Sequence, residues 1–114
     1  MRLLLELDGP VPPGGELRGR VIVAEGGEHR QLQVAVRLCE HSRDFREEVV
    51  HASAELAHGG ELCAADTFPF VLAVPLQAGP PVDTPWGGLA WEVRAWADVA
   101  MKGDVEVSRP LPLG

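Results

Sequence analysis

The side chains best able to hold a metal or act as nucleophiles are few: His29, His41, His51 and His58, with Cys39 and Cys63. A metal centre needs His, Cys or carboxylate ligands converging at about 2.0–2.3 Å. No two of these histidines have a His-x-His or His-x-x-x-His spacing, and the cysteines form no CxxC. Cys39, His41 and Cys63 could meet only if the chain folded Cys63 back onto the other two. A serine triad would need Ser beside His and a carboxylate. His41-Ser42-Arg43-Asp44 has those residue types. Neighbours on a turn seldom point at one another, and Ser and Asp there satisfy local backbone groups. No Gly-x-Ser-x-Gly elbow is present. Pro12-Pro13-Gly14-Gly15 is not a phosphate loop either, because Glu16 and a strand follow where Lys-Ser/Thr and a helix would be needed. The sequence therefore predicts no catalytic residue, no metal and no cofactor. The alternative is a metal- or small-molecule-binding sandwich, or an enzyme, using His41, His51 and Cys39.

The tryptophans carry a different chemistry. Trp86 lies in a Pro/Gly stretch, whereas Trp91 and Trp96 fall on opposite faces of one alternating segment. An exposed Trp buries a large rigid area when a partner covers it, which is why it anchors interfaces. Trp96 shares its face with Glu92, Arg94 and Asp98, so Arg94 stacked on its ring is the competing use. Ile22 and Val49 are expected on outward faces. Trp86, Trp96, Arg94, Ile22 and Val49 are thus the candidate protein-contact residues.

Extended segments must position these groups. Apolar residues alternate with a period of two in stretch after stretch. Leu32, Val34, Val36 and Leu38 share one face, as do Val50, Ala52, Ala54 and Leu56. A turn around Arg43 would pair Val36 with Val50, Val34 with Ala52 and Leu32 with Ala54. That register sets His51 against Ala35 and Glu47 against Cys39. Leu17, Val21 and Val23 point inward, with Gly19 where a side chain would normally sit. Phe68, Phe70, Leu72 and Val74 form a stripe broken by Pro69, which suggests an edge or bulge. Leu89, Trp91, Val93, Ala95, Ala97 and Val99 form the last long stripe. Turn clusters punctuate the chain regularly, as in a sandwich or barrel. The expectation is one all-β domain over residues 1–114, an immunoglobulin-like sandwich of about seven antiparallel strands.

Bulk composition sets the outer limits. The 114 residues are 46% hydrophobic and 24% charged, enough for a core without metal or disulfides. Ten Lys/Arg against 17 Asp/Glu give a formal charge of −7. That balance speaks against nucleic acid and anionic membranes, where basic clusters supply the affinity. Glu6 and Asp8 interrupt the opening Leu run, so neither a signal peptide nor a membrane span is expected. A cytoplasmic setting with free Cys39 and Cys63 follows.

Four segments together resemble a known family. Gly15-Glu16-Leu17-Arg18-Gly19-Arg20-Val21 resembles the opening of the second strand of arrestin-fold N-terminal domains. Phe68-Pro69-Phe70-Val71-Leu72-Ala73-Val74-Pro75 is similar to a later strand of that family, Pro80-Pro81-Val82 to its following turn, and Gly88 to Trp96 to the next strand. Their order and spacing cover most of the chain. Among bacterial groups the pattern looks most like the sporulation-control family. The resemblance implies an immunoglobulin-like sandwich and a non-enzymatic adaptor or scaffold. Edge strands and the exposed aromatic surface are where such a domain is expected to bind a protein partner or a second copy of itself. Arrestins that sense phosphate carry a lysine pair in the first strand, where Leu4-Leu5 stands here, so phosphate sensing is not implied.

Overall fold

A computed structural model describes residues 1–114. It contains only strands and turns. Seven strands have six residues or more: β1 (Arg2–Leu7), β2 (Glu16–Glu25), β4 (Gln31–Ser42), β5 (Arg46–His58), β7 (Thr67–Ala73), β9 (Gly87–Val99) and β10 (Gly103–Pro110). Three short ones, β3 (Gly27–Glu28), β6 (Glu61–Leu62) and β8 (Val82–Thr84), complete the set. All strands pair antiparallel with their neighbours. The expected all-β sandwich is the structure found.

Two layers form the sandwich. The smaller sheet runs β1-β2-β7 and the larger β10-β9-β4-β5, with β8 on the β9 edge. The alternating stripes meet between them. Leu5, Leu17, Val21, Phe70 and Leu72 come from the small sheet, and Leu32, Val34, Val36, Val93 and Ala95 from the large one. Arg109 on β10 donates to the Leu5 carbonyl on β1 at 3.1 Å, tying the two layers along one side. At the opposite end β3 and β6 make a small clip. His29 beside it is buried and donates from Nδ1 to the Gly60 carbonyl at 2.9 Å.

The layers differ in length. At about 3.3 Å per residue, the 13-residue β5 and β9 span about 43 Å, whereas β1 and β7 reach only about 20–23 Å. The large sheet must overhang the small one. The overhang comprises the end of β4, the start of β5, β8 and the start of β9. Every residue from Arg43 to His51 is exposed.

The β4–β5 register corrects the sequence reading. Near the tip His41 faces Arg46, Cys39 faces Glu48 and Arg37 faces Val50. Beyond a bulge at His51, Val36 faces Ala52 and Val34 faces Ala54, and beyond a second bulge Leu32 faces Ala57. Val36 therefore does not pair with Val50, nor Leu32 with Ala54. Ala35 faces Ser53 rather than His51, and Glu47 faces Glu40 rather than Cys39. The physical reason lies in the overhang. Outside the sandwich no core dictates which face is inward, so the turn sets the register, with the Ser42 N–H donating to the Phe45 carbonyl at 2.9 Å. Inside it, the apolar stripe does. The bulge at His51 absorbs the one-residue conflict. In consequence Val50, expected inward, shares the outer face with Arg37. Val49, expected outward, lies on the core side opposite Leu38.

Candidate protein-interaction surface

The end of the overhang presents the most exposed aromatic side chain of the fold. Trp86 sits between β8 and β9 with 79% of its surface exposed. Its loop is held locally. The Trp86 N–H donates to Thr84 Oγ1 at 3.3 Å, and Thr84 Oγ1 donates to the Gly87 carbonyl at 2.8 Å. Gly87 follows at φ +147°, and a Cβ there would overlap the His41 carbonyl, so only glycine lets β9 start so close to β4. The result is a fixed backbone with a free indole. Beside it a shallow depression is lined by His41, Ser42, Arg43, Thr84 and Pro85. Phe45, at 55% exposure, caps the neighbouring β4–β5 turn. Sequence reasoning passed over Phe45. The one signal for it was an aromatic placed directly after the polar turn cluster Ser42-Arg43-Asp44.

The outer face of the large sheet is occupied by its own charges. Arg37 is largely covered and bonds Glu92 and Glu48, the latter at 2.8 Å. Burial works against the Arg37 cation, but the hydrogen bond and charge of Glu92 outweigh it and hold its pKa above the ordinary value. Arg94 bonds Glu106 and approaches Asp104 at 3.4 Å, while its guanidinium lies 4.7 Å from the Trp96 ring centroid. Trp96 is half-buried under that contact. Arg94 and Trp96 thus have partners already. Trp91, on the other face, is buried.

On the small sheet, Ile22 is half-buried between Leu4 and Thr67. Leu4 is 45% exposed, and the two make a small apolar step. Next to it Arg20 bonds Asp8 at 2.9 Å and Glu6 at 2.7 Å, and these carboxylates, Asp8 first, hold its pKa up. Val49 is 39% exposed on the overhang.

The residues of the alternative reading do not converge. Cys39 and His41 lie on the outer face of the large sheet, opposite Glu48 and Arg46. His51 lies on the other side, its ring 4.8 Å from that of Trp91. The sheet itself separates them. Burial pushes the Cys39 thiol up to about 11, and its hydrogen bond to Glu92 adds to the shift. Such a thiol stays protonated at neutral pH and is a weak nucleophile. Both cysteines are free, Cys63 being the exposed one.

One further hollow has an apolar wall. A cleft of about 590 Å³ opens where the β9 edge passes from β8 to β10, and Pro80, Pro81, Trp91, Pro110, Leu111 and Leu113 line it. The Leu111 N–H donates to the Trp91 carbonyl at 3.1 Å, fixing the chain after β10 across its floor.

No helix of the chain is long and apolar enough to cross a membrane. No family model matches the sequence, and no curated protein matches it. Among solved structures, the chain is similar to the crystal structure of Spo0M, a sporulation control protein from Bacillus subtilis, with a TM-score of 0.74 and 17% identity. The similarity covers 96% of this chain and 47% of Spo0M, so the chain spans about half the length of that protein. The two-layer arrangement of the strands is therefore an arrestin-like β-sandwich, the fold of the matched half of Spo0M.

Proposed function

We propose that this chain is a protein-interaction domain of the arrestin-like adaptor kind, without enzymatic activity, and that Trp86 is its principal anchor. The observation that carries this is a nearly bare indole on a backbone fixed by Thr84. A rigid aromatic with little conformational entropy to lose is the usual centre of a binding hot spot. Arg43 and His41 flank it, so the partner surface has an apolar recess with an acidic or neutral rim. Val49 and the Leu4–Ile22 step offer secondary contacts. Trp96 and Arg94 contribute only if a partner competes for Glu106 and Asp104. The negative charge speaks against nucleic acid as the main partner, and a cytoplasmic setting would keep both thiols reduced.

The test compares the folded wild type with Trp86→Ala as immobilised baits in extract from the source cells. Losing a central Trp costs about 2 kcal/mol or more, a roughly thirtyfold weaker affinity. At least one protein retained by the wild type is expected to be lost from Trp86→Ala, whose melting temperature stays unchanged. Identical retention by both baits contradicts the assignment of Trp86.

A further inference from the structure

We infer that the free edge of β5 pairs with the same edge of a second copy, antiparallel, about a two-fold axis between Val50 and His51. The inference rests on the protein-interaction reading and names one partner for it, at the β5 edge, which takes in Val49 and the adjoining Phe45 but not Trp86.

β5 is the longest edge strand of the fold, 13 residues hydrogen-bonded on one side only, to β4. Such an edge is a template for another strand. Bulges and charges usually guard these edges. Here both features fit a symmetric pairing.

The bulge sets the parity. In an antiparallel ladder, directly opposed residues share a face. Before the bulge the outer-face residues are Arg46, Glu48 and Val50, opposite His41, Cys39 and Arg37. After it they are Ser53 and Glu55, opposite Ala35 and Gln33. The bulge thus shifts the outer face from even to odd numbers. A two-fold axis between Val50 and His51 sets Arg46 against Glu55 and Glu48 against Ser53, all on the outer face. It sets Val49 against Ala52 and Glu47 against Ala54 on the core side. An axis displaced by half a residue sets outer residues against inner ones.

Charge selects the register among those of correct parity. With the axis as stated, two Arg46–Glu55 pairs form across the interface. Moving it one residue towards the N-terminus opposes Asp44 to Glu55. Moving it one residue towards the C-terminus opposes Glu48 to Glu55. Both put like charges together. Arg46 has no ion-pair partner within its own chain, and Glu55 meets only His58, at 2.7 Å.

Apolar exposure agrees. The same register brings Phe45, 55% exposed, alongside Leu56 of the second copy. Val50, 56% exposed, and His51 flank the axis; they belong to the bulge, lie on opposite faces and interrupt the ladder there, so the regular pairs begin at Val49 and Ala52. The overhang supplies the room. Every residue of β5 from Arg46 to His51 is exposed, so this half is open to a second strand.

Sedimentation equilibrium of the reduced chain across micromolar to millimolar concentrations is the experiment. The wild type is expected to reach a dimer. Arg46→Glu and Glu55→Arg are each expected to weaken it at least tenfold, and the double swap to restore it within about threefold, with all four proteins melting alike. A monomer throughout, a dimer indifferent to the single changes, or a double swap that fails to restore it overturns the inference. None of these outcomes affects Trp86-dependent retention of other proteins, which is read separately in the Trp86→Ala comparison.

Discussion

Replacing Trp91 by alanine is expected to remove about 3–5 kcal/mol of stability, the cost of emptying a large buried aromatic site. Trp91 is 6% exposed and stands where the covered part of the large sheet gives way to the overhang. It faces Leu38 across the ladder, packs against the His51 ring and forms a wall of the cleft between Pro81 and Leu111. Prolines line much of the cleft, and the chain after β10 is fixed by its bond to the Trp91 carbonyl. A domain of this size has about 5–15 kcal/mol in total. The melting temperature should fall on the order of 15 °C, taking roughly 4 °C per kcal/mol. Trp91→Phe, which keeps most of the apolar contact, should lose less than half as much. A loss under about 1 kcal/mol for Trp91→Ala would mean that this ring is not part of the core.

The second large effect is expected at Gly19. Gly19 lies in β2, paired with Leu7 on β1 and Phe70 on β7. A Cβ built there meets the Phe70 ring at 2.9 Å and overlaps the Glu6 carbonyl oxygen. The ring can shift at some cost. The carbonyl belongs to the β1 backbone, so relief requires β1 to move off β2. Overpacking against side chains alone costs about 1–3 kcal/mol. Gly19→Val should reach or exceed the top of that range in denaturant unfolding. Phe70→Leu in the same chain removes the ring contact and leaves the carbonyl overlap, so it should not rescue Gly19→Val. Full rescue would place the whole clash in the ring.

Where the two layers face each other, the fold was legible in the residues. The Leu32–Leu38 and Trp91–Ala97 stripes, the inward Leu17, Val21 and Val23, and the gap at Gly19 follow from period-two alternation alone. The motif resemblance pointed to the arrestin-like sandwich that the comparison with Spo0M supports. Legibility failed where the core ends. Val49 and Val50 look alike to a pattern that assumes an inside, and in the overhang there is none. Turn geometry decided their faces, and the bulge at His51 restored the phase further on. Trp86 could be placed in a loop from its Pro and Gly neighbours. That the loop is fixed by Thr84 depends on a local hydrogen-bond pattern that carries no periodic signal. Trp96 shows the reverse. Its outward direction was readable, and so was Arg94 as the residue able to cover it, but only the β9–β10 register reveals how Glu106 holds Arg94 in place. Buried His29 gave no sign at all, because its burial depends on the remote Gly60 carbonyl.

Amide hydrogen exchange, resolved by segment, tests the account most directly. Its premise is that two unequal layers bury the middle of β4 and β9 and leave the far end of the larger one bare. Leu32–Val36 and Val93–Ala97 should exchange slowest, through global unfolding only, while Arg43–Phe45 and Trp86 exchange orders of magnitude faster. Comparable exchange in the β4 centre and the tip, or slow exchange at Trp86 in the isolated chain, would contradict it.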